Sequence, residues 1–235
     1  MGIIRRSLEG PFVLSSSGRG PAAVVVEPIA CGLLKVGLTP NAVTVIGSLV
    51  TVAAAVMTIP QGKFFLGVVL IAIFAAFDML DGTMARMRGG GTAFGATLDA
   101  TCDRLTDGAL FAAIAWWLFY TDGAPRIVLG STLAVIIFSE MISYVKARAE
   151  AGGMKVNGGL IERPERIIIA FIGLLAASVG FVSVLHWAMI ILAVASAFTV
   201  VQRLVLASRD PQAAAGVAAP HGAKSAEELR GPSER

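Results

Sequence analysis

Four aspartates form two pairs with helical spacing in a largely apolar part of the chain. Asp78 and Asp81 are three residues apart, and Asp99 and Asp103 are four residues apart. Residues with these spacings lie on one face of a helix, so the carboxylates of each pair should point in the same direction. Four carboxylates that converge cannot all stay ionised without cations. Hard divalent ions with oxygen ligands, Mg²⁺ or Mn²⁺, are therefore expected between them.

Small and basic residues accompany the aspartates. Gly82 and Gly95 have no side chain and would let a ligand approach the backbone closely. Arg86 and Arg88 supply positive charge for phosphate. The connection at 87–94 is short and rich in glycine, so the two helices that carry the aspartates should be antiparallel neighbours. The pattern indicates a metal-assisted site for a phosphorylated substrate.

The composition places these residues in a membrane protein. Of the 235 residues, 56% are hydrophobic and 15% are charged, and the mean hydropathy is +0.78. A soluble domain normally has about 25% charged residues. The net charge of +3 is too small to indicate a nucleic-acid partner.

The apolar runs predict an all-α integral membrane protein with six transmembrane helices. One crossing needs about 20 apolar residues. The stretch 167–202 carries no formal charge and would be about 54 Å long as one helix, too long for one crossing. It is therefore divided near Ser183–His186. The predicted spans are roughly 38–59, 64–78, 95–120 and 127–145, and two within 167–202.

The flanking segments differ from this membrane domain, which is predicted over 37–208. Residues 1–20 form an N-terminal leader. The short apolar stretch 21–36 contains Pro28 and is predicted to be a helix that lies on the cytoplasmic membrane interface. The tail at 209–235 is rich in alanine, glycine, proline and charge, and is predicted to be disordered.

The distribution of basic residues orients the predicted spans. Of the 19 lysines and arginines, only Lys63 and Arg126 fall in loops on the side opposite the termini. Positive residues mark the cytoplasmic side. We therefore expect a multi-pass protein of the cell membrane, with both termini and the aspartate site facing the cytoplasm.

The aspartate pattern resembles the signature of the CDP-alcohol phosphotransferase family. The pattern is Asp78-x-x-Asp81-Gly82-x-x-Ala85-Arg86, eight further residues, and Gly95-x-x-x-Asp99-x-x-x-Asp103. Eight fixed positions match by chance about 10⁻⁹ to 10⁻¹⁰ times per start site. The resemblance implies that the four aspartates hold two metal ions, which bind the diphosphate of a CDP-linked lipid. It also implies that the protein is a homodimer.

The resemblance further implies roles for individual residues. Asp103 matches the general base. Neither histidine suits that role, because His186 falls at the opposite membrane face and His221 in the tail. The residues implied to bind CDP-diacylglycerol (CDP-DAG) are Asn41, Ala42, Val43, Thr44, Gly82, Ala85, Arg86, Thr92 and Gly95.

A second basic cluster indicates the alcohol that accepts the phosphatidyl group. Lys146, Arg166 and Arg203 fall near the cytoplasmic ends of spans four to six, and an uncharged acceptor would not require them. The segments around them resemble the actinobacterial phosphatidylinositol phosphate synthases. This resemblance implies that the acceptor is inositol 1-phosphate and that these three residues bind its phosphate. Glycerol 3-phosphate is the alternative acceptor.

Two other classes of protein remain open. An intramembrane prenyltransferase also uses aspartates and Mg²⁺, but its motifs are spaced differently. A cation transporter would distribute its acids across the bilayer, whereas these four cluster at one depth. Asp107 and Glu140 are interpreted as pairing with Arg104 or a neighbouring residue.

Overall fold

The computed structural model describes residues 21–75 and 77–216, with side chains for 26–75 and 79–216. Within these ranges all regular secondary structure is helical, and there is no strand. The predicted leader at 1–20 and most of the predicted tail lie outside the described residues. The α-helices are α1 (Pro21–Lys35), α2 (Pro40–Thr58), α3 (Phe64–Ala75), α4 (Phe77–Met87), α5 (Ala93–Trp117), α6 (Arg126–Ala151), α7 (Arg163–Ser178) and α8 (Val182–Arg209).

Four helical segments of the described chain are long and apolar enough to cross a membrane: Pro40–Gln61, Phe64–Met87, Arg126–Ala151 and Val182–Arg209. Helix α5 is long enough, but its first 15 residues carry Asp99, Asp103, Arg104 and Asp107. Helix α7 has 16 residues, about 24 Å at the rise of an α-helix. A multi-pass membrane protein is confirmed at this level, and the count of six spans stays a prediction.

The predicted break between the last two spans is wrong in position. Helix α7 ends at Ser178 and α8 begins at Val182, so Ser183 and His186 belong to the first turns of α8. Gly180 lies between the helices with φ +96°, a left-handed conformation that is inexpensive only for glycine. The polarity of His186 is accommodated by a contact of 2.7 Å between its Nε2 and Oδ2 of Asp122.

The helices divide into two compact units. The first contains residues 21–54 and 69–106, and the second contains 55–68 and 107–216, within the described ranges. In the first unit, α1 packs against α4. The buried core here consists of Ala30 of α1, Val43 of α2, and Leu80 and Met84 of α4. A helix is thus present where the interfacial helix is predicted, and its apolar contacts hold it against α4.

In the second unit, both α6 and α7 pack against α8. Gly173 allows α7 to approach closely, because a Cβ atom at this position would lie 3.2 Å from Cα of Leu185. The loop between α6 and α7 is fastened to α8 by side chains. The backbone N–H of Leu160 donates to Oε1 of Gln202 at 3.0 Å, and that of Ile161 donates to Oγ1 of Thr199 at 3.1 Å.

The end of α8 holds the same loop at a second point. Oδ2 of Asp210 accepts a hydrogen bond of 2.9 Å from the backbone N–H of Lys155. Hydrogen bonds from the backbone N–H groups of Lys155 and Gln212 lower the pKa of Asp210.

Candidate active site

The turn between α4 and α5 contains glycines that end the first helix and a threonine that caps the second. Gly89 and Gly90 have φ of +94° and +127°, and the N–H of Gly90 donates to the carbonyl oxygen of Ala85 at 3.0 Å. Thr92 then caps α5, because its Oγ1 accepts a 2.9 Å hydrogen bond from the N–H of Gly95. The aspartate-bearing segments are thereby joined by a short, hydrogen-bonded turn.

The start of α2 is capped in the same way. Oγ1 of Thr39 accepts a hydrogen bond of 3.2 Å from the N–H of Ala42, and proline at the first helical position is well suited to a helix start. One turn further on, the hydroxyl of Thr44 donates to Oδ2 of Asp81. Both side chains are buried. Helix α2 therefore holds one of the predicted metal ligands by a hydrogen bond.

A cavity of about 820 Å³ lies within the first unit between these elements. It brings together eight of the residues predicted from the sequence to form the metal and CDP-DAG sites. These are Asn41, Thr44, Asp81, Gly82, Ala85, Thr92, Gly95 and Asp99.

Glycine at position 95 keeps the α2 and α5 sides of the cavity close. A Cβ atom there would lie 3.1 Å from Oγ1 of Thr92 and 3.2 Å from Oδ1 of Asn41. At Gly82 the situation differs, because a Cβ atom would meet only Nη1 of Arg86, at an ordinary 3.5 Å. Protein packing therefore constrains Gly95, whereas it leaves room at Gly82.

Three residues predicted to bind CDP-DAG do not line this cavity. Val43 packs in the core with α1 and α4, and Ala42 is half-buried beside it. Arg86 folds back along α4, where its Nη2 donates to Oγ1 of Thr83 at 2.8 Å. The cationic lining residue is instead Arg88, which lies among the eight unspecified residues in the middle of the signature.

The four predicted metal ligands differ in their surroundings. Asp81 is buried, Asp99 is exposed at the cavity lining, and Asp103 is half-buried. The side chain of Asp78 lies outside the described residues. Within the described side chains, no three acidic, histidine or cysteine groups form a cluster that could hold a metal ion. The donor set nevertheless fits a hard divalent cation, since carboxylates of Asp81 and Asp99 line one cavity and oxygen ligands suit Mg²⁺ and Mn²⁺.

The predicted acceptor residues belong to the second unit and differ from one another in burial. The side chain of Lys146 is 44% exposed and lies 4.0 Å from Glu150. Arg203 is buried, and its guanidinium donates to two backbone carbonyl oxygens, of Ile142 at 2.7 Å and Gly158 at 3.2 Å. It also donates to Oε1 of Glu162 at 3.1 Å.

Arg166 is the most deeply buried of the three. Its Nη2 donates to Oδ2 of Asp107 at 2.5 Å, and both side chains are 1% exposed. Asp107 is interpreted from the sequence as pairing with Arg104 or a neighbour, and among the contacts described it also accepts from Arg163 and Arg166, 56 and 59 residues further on. The sequence gives one indication that Arg163 and Arg166 share a partner, because they are one helical turn apart at the start of α7.

Comparison with known proteins identifies a family whose sequence pattern matches most of this chain. Residues 37–201 match the family described as CDP-alcohol phosphatidyltransferase. The phosphatidylinositol phosphate synthase of Corynebacterium glutamicum is 50% identical over 213 residues, which cover 91% of this chain and 97% of that protein. The enzyme of the same name from Mycobacterium tuberculosis H37Rv is 50% identical over 190 residues, covering 79% and 87%.

Two crystal structures of the M. tuberculosis enzyme are similar to this structure over most of the chain. One has CDP-DAG bound; it has a TM-score of 0.80 and 48% identity, and covers 84% of this chain and 100% of that chain. The other contains manganese and citrate, with a TM-score of 0.79, 47% identity and coverage of 86% and 97%. These similarities decide against the prenyltransferase and transporter classes.

Proposed function

The chain belongs to the CDP-alcohol phosphatidyltransferase family, and we propose that it transfers the phosphatidyl group of CDP-DAG to inositol 1-phosphate. It is a transferase of phospholipid biosynthesis with membrane helices. The products of the proposed reaction are phosphatidylinositol phosphate and CMP. The observation that carries the proposal is the cavity that brings Asp81 and Asp99 together with Asn41, Thr44 and Gly82.

The cavity suits the CDP group of the lipid substrate. The same cavity is lined by carboxylates that could bind metal ions and by the positive charge of Arg88. It is also lined by Gly82, where the lack of a side chain leaves the backbone accessible. Its volume of about 820 Å³ is within the range of about 300–1,000 Å³ that is common for ligand pockets. The crystal structure of the M. tuberculosis relative with CDP-DAG supports this choice of substrate.

Divalent metal use follows from the family and from the manganese-containing relative. We propose two Mg²⁺ or Mn²⁺ ions, held by Asp78, Asp81, Asp99 and Asp103. Bound divalent ions would neutralise the charge that develops on the diphosphate and make CMP a better leaving group. Thr44 contributes by holding the carboxylate of Asp81 in a fixed orientation.

Asp103 is proposed as the general base. The acceptor hydroxyl becomes a strong nucleophile only as its proton leaves. Its oxygen attacks the phosphorus of the phosphatidyl group, the bond from that phosphorus to the CMP oxygen breaks, and the proton passes to the Asp103 carboxylate. The reaction is a single displacement, with no covalent bond between lipid and protein.

The acceptor is proposed from charge and from the relatives. Lys146, Arg166 and Arg203 supply three positive charges in the second unit, and an anionic headgroup such as inositol 1-phosphate would be attracted to them. All the relatives described above are named phosphatidylinositol phosphate synthase. We further propose that the protein is a homodimer of the cell membrane, with both termini and the active site in the cytoplasm.

One assay tests the proposed reaction directly. The purified protein in detergent, with CDP-DAG and Mn²⁺, is given inositol 1-phosphate, free inositol or glycerol 3-phosphate, and CMP release is followed. Inositol 1-phosphate should give the highest kcat/KM. A higher value with glycerol 3-phosphate or free inositol would contradict the proposed acceptor, and no CMP release with any alcohol would contradict the proposed activity.

A further inference from the structure

A buried carboxylate in the second unit has no role in the reaction described above. Oδ1 of Asp107 accepts a hydrogen bond of 3.2 Å from Nε of Arg163, and Oδ2 accepts one of 2.5 Å from Nη2 of Arg166. The side chains of Asp107 and Arg166 are 1% exposed, and that of Arg163 is 28% exposed. A single carboxylate thus holds two guanidinium groups, one with each of its oxygen atoms.

The two arginines lie at a helix start that also carries acidic residues. Arg163 is the first residue of α7, and Arg166 lies one turn later. The N-terminus of a helix carries partial positive charge, so cations are electrostatically unfavourable there. Asp107 offsets part of this repulsion, and Glu162 at the N-cap and Glu165 in the first turn place two further carboxylates at the same helix start. The case for an anion therefore rests on hydrogen-bond donors and not on net charge.

Unused hydrogen-bond donors of Arg166 indicate where an anion would bind. Nε and Nη1 of Arg166 are buried and have no hydrogen-bond partner among the described residues. Buried donors without acceptors are costly, and phosphate offers several oxygen acceptors to a guanidinium group. Arg163, the partly exposed member of the cluster, is where a soluble anion would first make contact.

We propose that Asp107 is a positioning residue for the acceptor. Its carboxylate fixes the guanidinium of Arg166, so that the remaining donors of that group face the phosphate of the alcohol substrate. Asp107 itself, being negative, does not touch the phosphate. The assignment rests on the proposed function only for the identity of the alcohol, because the same geometry would orient Arg166 toward any phosphorylated acceptor.

The test separates positioning from simple structural support. In the full-length protein, Asp107→Asn keeps the size of the side chain and removes its charge. We expect the KM for inositol 1-phosphate to rise by about tenfold or more, the scale of a weakened charge-assisted hydrogen bond, while the KM for CDP-DAG stays at the wild-type value. Asp107→Glu, which keeps the charge but displaces it, should give an intermediate acceptor KM.

A second readout does not depend on turnover. Inorganic phosphate should raise the Tm of the wild-type protein, because it binds the folded state, and this increase should be smaller in Asp107→Asn. The matched control is Thr132→Val, a buried position whose hydroxyl bonds only to the carbonyl oxygen of Val128 among the contacts described. It should keep both the acceptor KM and the phosphate-induced increase in Tm.

The outcomes distinguish the possibilities. A lower Tm for Asp107→Asn with wild-type acceptor KM and phosphate response would mean that the ion pairs only stabilise the fold, and would overturn the assignment. Should Asp107→Asn fail to fold, Asp107→Glu carries the same comparison, and wild-type values for both substrates would overturn it. If the wild-type enzyme uses another phosphorylated alcohol, the proposed acceptor is wrong, and the variants are compared with that alcohol.

Discussion

The hydroxyl of Thr44 donates a hydrogen bond to the carboxylate of Asp81 inside the first unit. Both residues are buried and both line the cavity. A hydrogen bond to a charged group contributes about 1.5–3 kcal/mol. The contact connects the start of α2 to the aspartate signature on α4, two segments separated by 37 residues.

Replacing this hydroxyl should weaken metal binding. In Thr44→Val the shape is kept while Asp81 loses a donor, so the concentration of Mn²⁺ that gives half-maximal activity should rise about tenfold or more. The measurement is a Mn²⁺ titration at saturating substrates. Thr51→Val is the matched control, because Thr51 is buried on the same helix and its hydroxyl donates only to the carbonyl oxygen of Gly47 among the contacts described. An equal shift in both variants would argue against a role for the Thr44 contact.

Metal removal should abolish activity reversibly. Carboxylates that converge repel one another unless cations lie between them, and the proposed reaction needs positive charge at the diphosphate. EDTA should stop CMP release, and excess Mg²⁺ or Mn²⁺ should restore it. Full activity in the chelator would contradict the proposed metal site, whereas an irreversible loss would indicate that the metal is needed for folding.

The aspartate motif could be predicted from the sequence because its geometry is local. Spacings of three and four residues predict that each pair shares a helix face, and Asp81 and Asp99 both line the cavity. Val43 shows the limit of this reasoning. It lies within a segment implied to bind CDP-DAG, but its apolar side chain packs in the core beside Leu80 and Met84.

Long-range partners could not be predicted in this way. In the sequence Arg203 is a cation with no evident partner, but its donors go to backbone carbonyl oxygens of Ile142 and Gly158, and no pattern of side chains indicates a carbonyl acceptor. The turn between α7 and α8 was predictable in principle. Gly180 is a better signal for a helix end than the polar Ser183–His186, because a left-handed residue is what ends the helix there.

An added methyl group at position 82 should affect the substrate and not the fold. In Gly82→Ala the new Cβ atom meets only Nη1 of Arg86, at 3.5 Å, and alanine favours a helix by about 0.5–1 kcal/mol over glycine. The Tm should therefore stay the same or rise. The KM for CDP-DAG should increase, because Gly82 lines the cavity.

The control for this substitution is Gly130→Ala. Position 130 is also helical, a Cβ atom added there would meet no atom within 4 Å, and the residue does not line the cavity. It should give the same effect on Tm with an unchanged KM. A wild-type KM in Gly82→Ala would remove Gly82 from the binding site.

Two predicted acceptor residues should respond differently to substitution. Lys146 is 44% exposed, so Lys146→Gln should change the free energy of unfolding by less than about 0.5 kcal/mol while raising the acceptor KM. Arg203→Lys should lower stability by about 1–3 kcal/mol, because an ammonium group cannot reproduce three hydrogen bonds in different directions. Thermal unfolding and acceptor titrations measure both effects. An unchanged acceptor KM in Lys146→Gln would remove Lys146 from the acceptor site.

The substitution Asp103→Asn should separate binding from proton transfer. The amide keeps the size of the carboxylate but cannot accept the proton of the acceptor hydroxyl, so kcat should fall by about 10²-fold or more, the scale of general-base catalysis. Because Asp103 is also a proposed metal ligand, the measurement is made at saturating Mn²⁺, where weaker metal binding no longer limits the rate. Binding of CDP-DAG under these conditions should persist.

Asp103 is half-buried, so the fold of Asp103→Asn should tolerate the loss of charge, and the Tm of the variant provides the check. A kcat near the wild-type value would assign the base to another group, and a phosphatidyl group trapped on an aspartate would replace direct displacement by a two-step mechanism.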